Sequence, residues 1–244
     1  MVTDFFKLYE AIAAGVDSED IILSTASAEL WSMVETEGST GIAMSTPGDS
    51  IAPMYDNYKG LSLREAAKAV GSWNLTEASI ALAAANAHYN TVERMDKLRA
   101  REPYENYCTA GLDFEGKTVG LIGHLHGPED MRKKARQVYI IERSPQQGDY
   151  PDSACDFILP QCDIVLITGS SIINKTLPHL LELCRDAYTI LTGPSVPLCP
   201  ELLDLGLDRI AGMAVTKRVG MKRHVLENAM CNPYIYGESF MLQR

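Results

Sequence analysis

Four apolar, β-type runs in the second half of the chain restrict its architecture more than any other feature. They span residues 117–124, 137–142, 162–169 and 187–193, and each closes in a small-residue or acidic turn. None has the polar alternation of a half-exposed strand, and helix-length segments separate them. The pattern predicts parallel strands buried on both faces beneath helices. Residues 208–215 fit a fifth strand. A sheet of this kind presents its ligand site at the carboxyl ends of the strands. Those ends carry Gly123, His124, Glu142, Thr168, Gly169, Gly193 and Ser195.

At 244 residues the chain has room for two modest domains, each able to bury its own core. The expected division is 1–110, a smaller α+β domain, and 111–244, an α/β domain, with the boundary near Gly111. A net charge of -10 and a pI near 5.0 argue against general nucleic-acid binding, which needs a cationic surface. The local groups Arg132, Lys133, Lys134, Arg136 and Lys217, Arg218, Lys222, Arg223 read as solvated helix faces. The first ten residues lack the pattern of a secretory signal, and no apolar run approaches the ~20 residues of a membrane span, so a cytoplasmic protein is expected. The cysteines at 108, 155, 162, 184, 199 and 231 show neither Cys-x-x-Cys nor metal-finger spacing and are expected to be mostly reduced thiols.

In the first half, apolar residues at helical spacing over 4–14 end at Gly15, a helix-stop residue. Strand-like runs occupy 21–46, with 37–41 joining 29–36 to 42–45 as a hairpin. Pro47, Gly48 and Pro53 mark an irregular segment. Ser62 and Glu65 open a short helix over 61–70 through a capping box. The alanine-rich segment 74–90 predicts a helix packed closely on its neighbours, because alanine joins high helix propensity to minimal bulk. Asn74 and Glu77 read as its cap; the functional alternative directs both toward the second domain as ligand contacts. A charged helical stretch over 94–101 breaks at Glu102-Pro103-Tyr104, and 104–115 reads as the linker. Further helices are expected over 128–136, 174–184, 200–205 and about 217–230, with a short element at 154–160.

The strand ends supply the chemistry. Gly120, Gly123 and Gly127 approach a dinucleotide fingerprint without matching Gly-x-Gly-x-x-Gly, and Glu142 stands where a ribose-binding acid would. His124, Leu125 and His126 crowd that turn, which argues against NAD. His124 and His126 alternate, so with Glu142 they could offer imidazole and carboxylate to a divalent metal, or His124 could be a hydrogen-bonded turn residue. As titratable groups beside a turn, Glu142 and His124 are also the acid/base candidates. Thr168, Gly169 and Ser170 combine hydroxyls with helical N–H groups, an anion-binding arrangement within reach of Asn174 and Thr176; ordinary capping is the alternative. One strand later, Gly193, Pro194 and Ser195 lie in a loop fixed by three prolines. Cys199, at a helix start, could be an activated thiol or a packing residue. No Ser-His-Asp or Cys-His triad is supported.

In order along the chain, Gly123-His124, Glu142-Arg-Ser-Pro145, the run 168–176, Gly193-Pro-Ser-Val-Pro197 and Gly206-Leu-Asp208 resemble the putative heavy-metal chelation family. Gly41-Ile-Ala43 and Ser72-Trp-Asn-Leu-Thr-Glu-Ala-Ser79 through Asn86 extend the resemblance to the first half. It implies an enolase-N-terminal-like domain joined to a Rossmann-like domain, with a ligand pocket between them. Ser171 and Lys175 depart from a more usual Thr and a smaller residue, and Lys175 is expected to change the pocket's charge. The implied function is binding of a small polar, metal-chelating ligand. The metal would be held directly through His124 and Glu142, or only as a chelate. The rival is a lyase, transferase or oxidoreductase acting on a small anionic metabolite. The expected partner is a small molecule or metal chelate, and homo-oligomerisation stays open.

Overall fold

The computed structural model describes residues 2–98, 100, 107–125 and 129–244. The expectations placed on His126, Gly127, Pro128 and the break at Glu102-Pro103-Tyr104 therefore lie outside the described residues. The first half comprises α1 (Val2–Ala14), β1 (Ser24–Ser27), β2 (Trp31–Glu35), β3 (Thr40–Met44), α2 (Leu63–Ala67), α3 (Leu75–Tyr89) and α4 (Val92–Lys97). The second comprises β4 (Thr118–Ile122), α5 (Glu129–Lys134), β5 (Gln137–Glu142), β6 (Tyr150–Pro151), α6 (Cys155–Ile158), β7 (Ile164–Thr168), α7 (Ser170–Ile173), α8 (Leu177–Leu183), β8 (Tyr188–Thr192), β9 (Arg209–Val215), α9 (Arg218–Leu226) and β10 (Gly237–Gln243).

Strands β1 to β3 form a small antiparallel sheet, and the other seven form a second sheet in the order β10-β9-β8-β7-β4-β5-β6. That sheet is parallel except for β10, which pairs antiparallel with β9. The five expected strands are all present. Apolar side chains cover both faces of the sheet, in one cluster with Val165, Ile167 and Leu191 and another with Val119, Leu121, Leu166 and Ile190. This explains why these runs lack polar alternation. β6 and β10 are additions; the first is two residues long and contains Pro151, and the second interleaves Glu238, Ser239 and Gln243 with apolar residues. The order reverses between β4 and β7, a switch point that leaves a crevice outside their carboxyl ends.

The helix expected over 174–184 starts three residues later, behind a separate short helix at 170–173. Asn174 ends α7, and Lys175 takes a left-handed backbone conformation (φ 67°), so α8 begins only at Leu177. The last helix likewise stops at Leu226, ahead of the left-handed Asn228 (φ 48°).

Helix α3 joins the two sheets. Ala81, Ala83, Ala84, Ala85 and Ala87 are buried, and Gly41 of β3 lies so close that a Cβ there would sit 2.1 Å from the Ala83 carbonyl oxygen. On the same helix, Asn86 Nδ2 donates to the carbonyls of Ile42 (2.7 Å) and Ser195 (3.1 Å). Asn90 donates to the Val196 carbonyl (2.9 Å) and accepts from Leu198 N (2.8 Å). These amides fasten the proline-rich loop after β8 to the first half.

Helix α9 makes a second seam. The Arg218 guanidinium donates to Thr40 Oγ1 (2.8 Å), to the Glu37 carbonyl (2.6 Å) and to the Thr36 carbonyl, while Lys222 Nζ lies 2.6 Å from Glu35 Oε2. Two members of the 217–223 basic group thus bind the hairpin and are not free solvated charges. Arg218→Ala removes charge-assisted bonds from two carbonyls and a hydroxyl, and is expected to lower unfolding free energy by about 2 kcal/mol. Urea titration checks this; an unchanged midpoint would show that the seam contributes nothing.

Candidate functional site

A cleft of about 1230 Å³ opens at the carboxyl ends of β4, β5, β7 and β8. Each strand ends where side chains can no longer be covered by helices, so turn residues form the wall. Of the expected site residues, Gly123, His124, Glu142, Thr168, Ser170, Asn174, Thr176, Gly193 and Pro194 line it. Trp31 and Met44 from the small sheet, and residues 229–234 after α9, also line it.

The expected residues that lie elsewhere have packing roles. Gly169 abuts Val196, where a Cβ would fall 2.7 Å from Cγ2. Ser195 Oγ accepts from Met44 N (2.8 Å) and so joins the sheets instead of facing the cavity. Asn74 caps α3, accepting from Glu77 N (2.9 Å) and donating to the Ile51 carbonyl (2.7 Å). Glu77 accepts from Met54 N (2.7 Å), Tyr55 N (3.1 Å) and the Tyr58 hydroxyl (3.0 Å), holding the loop that precedes α2. Neither lines the strand-end cleft.

One further expectation is corrected, and one alternative is decided. Lys175 does not charge the pocket; its Nζ donates to the Val70 carbonyl (2.7 Å) and lies 4.5 Å from the Tyr9 ring centroid, inside the packing of the first half. Of the two readings of Cys199, the packing residue holds. Burial pushes its thiol up to about 12, and Sγ donates to Glu201 Oε2 (3.0 Å).

The turn after β4 builds the polar centre. Gly123 has φ 100°, and a Cβ there would meet Thr168 Cβ at 3.3 Å, so the turn needs glycine on both counts. It delivers His124 N to Glu142 Oε1 (2.9 Å), while Glu142 Oε2 accepts from Arg143 N (3.1 Å). The His124 ring lies between two carboxylates, with Nδ1 3.2 Å from Glu142 Oε1 and Nε2 2.7 Å from Asp149 Oδ2. Asp149 also accepts from Gln146 N (2.8 Å); that backbone bond, then the imidazole, lower its carboxyl below the usual range. Asp149 had no motif to reveal it, since its contact with His124 crosses 25 residues.

Beside this centre, Thr168 Oγ1 and Ser170 Oγ are 3.1 Å apart. Asn174 Oδ1 accepts from Thr176 N (3.1 Å) and Thr176 Oγ1 (2.7 Å), which orients the side-chain amide. On the rim, His179 Nε2 lies 3.1 Å from Asp156 Oδ1. Exposed Cys231 lies 3.4 Å from His224 Nδ1, a pairing that sequence spacing alone did not signal.

The donor set does not suit a resident metal. Among the described residues no group of three or more His, Cys, Asp and Glu side chains is arranged to hold an ion. The nitrogens of His124 face opposite carboxylates, so those donors do not converge on one point. Burial raises the Cys155 and Cys162 thiols to about 11 and Cys184 to about 12, which disfavours the thiolates a soft metal needs. These residues do not fit a directly bound ion.

The fold and cleft define a mixed α/β protein with its recess at the switch point of a mostly parallel sheet, where proteins of this class hold small molecules. A family model described as putative heavy-metal chelation (DUF364) matches residues 110–234, and a companion model with the same description matches 9–89. The chain belongs to this family. It is similar in structure to a DUF364 protein of unknown function from Desulfitobacterium hafniense, with a TM-score of 0.86, 32% identity and 99% of each chain covered. A DUF364 protein of unknown function from Pyrococcus horikoshii shares the fold, with a TM-score of 0.77, 22% identity and 100% of each chain covered. An uncharacterized protein of Methanocaldococcus jannaschii is 27% identical over 180 residues, 66% of this chain and 65% of that protein. The chain thus spans just under two thirds of that relative's length. No helix among the described residues is long and apolar enough to cross a membrane.

Proposed function

We propose that this protein binds a small polar ligand in the strand-end cleft and handles metal as the complex of an organic chelator. The cleft carries this reading: about 1230 Å³, lined by hydroxyl, amide and titratable groups together with Trp31 and Met44. The family description supports a role in metal handling, and the divergent donors of His124 favour a chelate over the bare ion. Thr168, Ser170, Asn174 and Thr176 would meet the chelator's anionic groups. On this reading residues 1–110 are an enolase-N-terminal-like domain and 111–244 a Rossmann-like domain, and the strand order supports the second assignment.

Calorimetry with zinc alone, and with zinc in excess citrate as a model anionic chelate, tests the proposal. Saturable heat is expected with the complex only, weakened at least about tenfold by a Thr168→Ala/Ser170→Ala double change, as expected for loss of more than one charge-assisted bond. Stoichiometric metal in untagged purified protein, lost in His124→Ala, would overturn it in favour of direct coordination.

A second reading rests on the clamped imidazole. A histidine held between Glu142 and Asp149 at the mouth of a cleft has the geometry of a positioned acid/base for a small anionic metabolite. If a screen finds turnover that survives both Glu142→Gln and His124→Ala, that reading is wrong.

A further inference from the structure

Asn174 and Thr176 line the strand-end cleft, and Lys175 between them sends its side chain the other way, into the first half. Asn174 Oδ1 accepts from both Thr176 N (3.1 Å) and Thr176 Oγ1 (2.7 Å). The Thr176 N–H needs an acceptor, so the Asn174 amide cannot reverse, and Nδ2 remains as its donor. The residue joining this pair is left-handed (φ 67°), a shape that Gly and Asn adopt far more readily than Lys. A side chain in that conformation persists only where its surroundings hold it.

The first half supplies the hold. Lys175 Nζ donates to the Val70 carbonyl (2.7 Å), just after α2, and lies 4.5 Å from the centroid of the Tyr9 ring on α1. The Tyr9 hydroxyl donates in turn to the Ile172 carbonyl of α7 (3.1 Å). Two hydrogen bonds and a ring contact thus bolt residues 172–175 to the first half, and Tyr9, Val70, Ile172 and Lys175 are all buried. The bolt is sensitive to charge, because an ammonium has three N–H groups to satisfy and the Val70 carbonyl is the acceptor it meets. Tyr9 is the titratable side chain facing it from α1, while α7 and the segment after α2 offer backbone carbonyls. Among the described residues no charged side chain contributes, and burial alone pulls the ammonium down to about 7. The closed bolt therefore favours the neutral amine, and a protonated side chain gains by reaching water.

We propose, resting on the chelate reading for what the cleft binds, that Lys175 is a positioning residue whose protonation loosens the 174–176 turn and weakens the hold on the ligand. A lysine released to water keeps its proton up to about 10.4, so acidification from there to about 7 shifts the balance from closed toward open, and below about 7 it changes no further. Asn174 and Thr176 lose their fixed orientation in the open form, so the ligand is held more firmly on the alkaline side.

Carbon-13 NMR of the full chain, labelled at Lys and Thr, tests the motion with no ligand present. From pH 6 to 9 the Lys175 Cε and Thr176 methyl signals are expected to titrate together, and the Thr176 shift to disappear in Lys175→Met. His179, one turn along α8, is common to both chains, so the difference between them carries the result. Calorimetry with zinc in excess citrate reads the consequence. Between pH 8.5 and 7 the wild type is expected to lose at least about threefold more affinity than Lys175→Met, as the binding-competent turn becomes less populated. Unrelated midpoints for Lys175 and Thr176 in the wild type would overturn the proposal even if the variant failed to fold. An equal Thr176 shift in both chains, or an equal loss of affinity in both, would also overturn it. If zinc citrate gives no heat at either pH the chelate reading falls, and the paired titration by itself upholds or overturns the role of Lys175.

Discussion

Gly41→Ala is expected to destabilise the protein by at least about 3 kcal/mol, the upper end of ordinary overpacking costs. The added Cβ would lie 2.1 Å from the Ala83 carbonyl oxygen and 2.2 Å from Ala87 N. Both are backbone atoms of α3, so no side chain can turn aside to make room. Relief requires the helix to move off β3, and Asn86 and Asn90 tie that helix to the loop after β8. The strain would therefore reach both sheets. Gly38→Ala is the control in the same hairpin, since a Cβ there meets nothing within 4 Å. Its effect is expected within about 0.5 kcal/mol, as for surface changes generally. Comparable urea midpoints for the two variants would refute the close-packing account.

Lys175→Met is expected to remove a pH dependence on the order of a few kcal/mol. Lys175 is 7% exposed, and burial pulls its ammonium from the usual lysine range down to about 7. Tyr9 is the titratable side chain facing it, and burial raises that hydroxyl, so it stays neutral and offers no compensating charge. Between about pH 7 and the ordinary lysine value of about 10.4, the unfolded chain keeps a proton that the folded chain has lost. Stability from this group is therefore fully present above the unfolded value and is lost as pH falls toward 7. The buried cysteines act in the opposite sense. Their raised folded values stabilise below about 8.5, the unfolded thiol value, and that contribution declines above it. The quantity to measure is thus the difference between wild type and Lys175→Met in urea midpoints at pH 6.5, 8 and 9.5. A difference that does not change with pH would mean that Lys175 stays charged in the folded state.

The parallel strands were legible because burial on both faces leaves a local mark: residues 118–122, 164–168 and 188–192 have no room for alternating polar side chains. Local hydrogen bonds were legible for the same reason. Ser62 caps α2 through Glu65 N and Asn74 caps α3 through Glu77 N, contacts set by a three-residue spacing. Strand ends also fall together whenever strands run parallel. Gly123, His124, Glu142, Thr168 and Gly193 could thus be assigned to one rim before their geometry was known.

Tertiary structure alone decided which way each turn residue faces. Gly169 and Ser195 sit at strand ends as Thr168 and Gly193 do, yet the approach of Val196 and Met44 turns them into the seam. Lys175 leaves the cleft because a left-handed residue between α7 and α8 sends its side chain to Val70 and Tyr9. Asp149 reaches His124, and Trp31 and Met44 join the strand ends in lining one cleft, through packing between segments far apart in sequence. Local pattern records how deeply a residue is buried and which backbone shape it favours. The direction of a side chain at a turn depends on atoms contributed by distant segments, and those meet only when the sheets and helices have assembled.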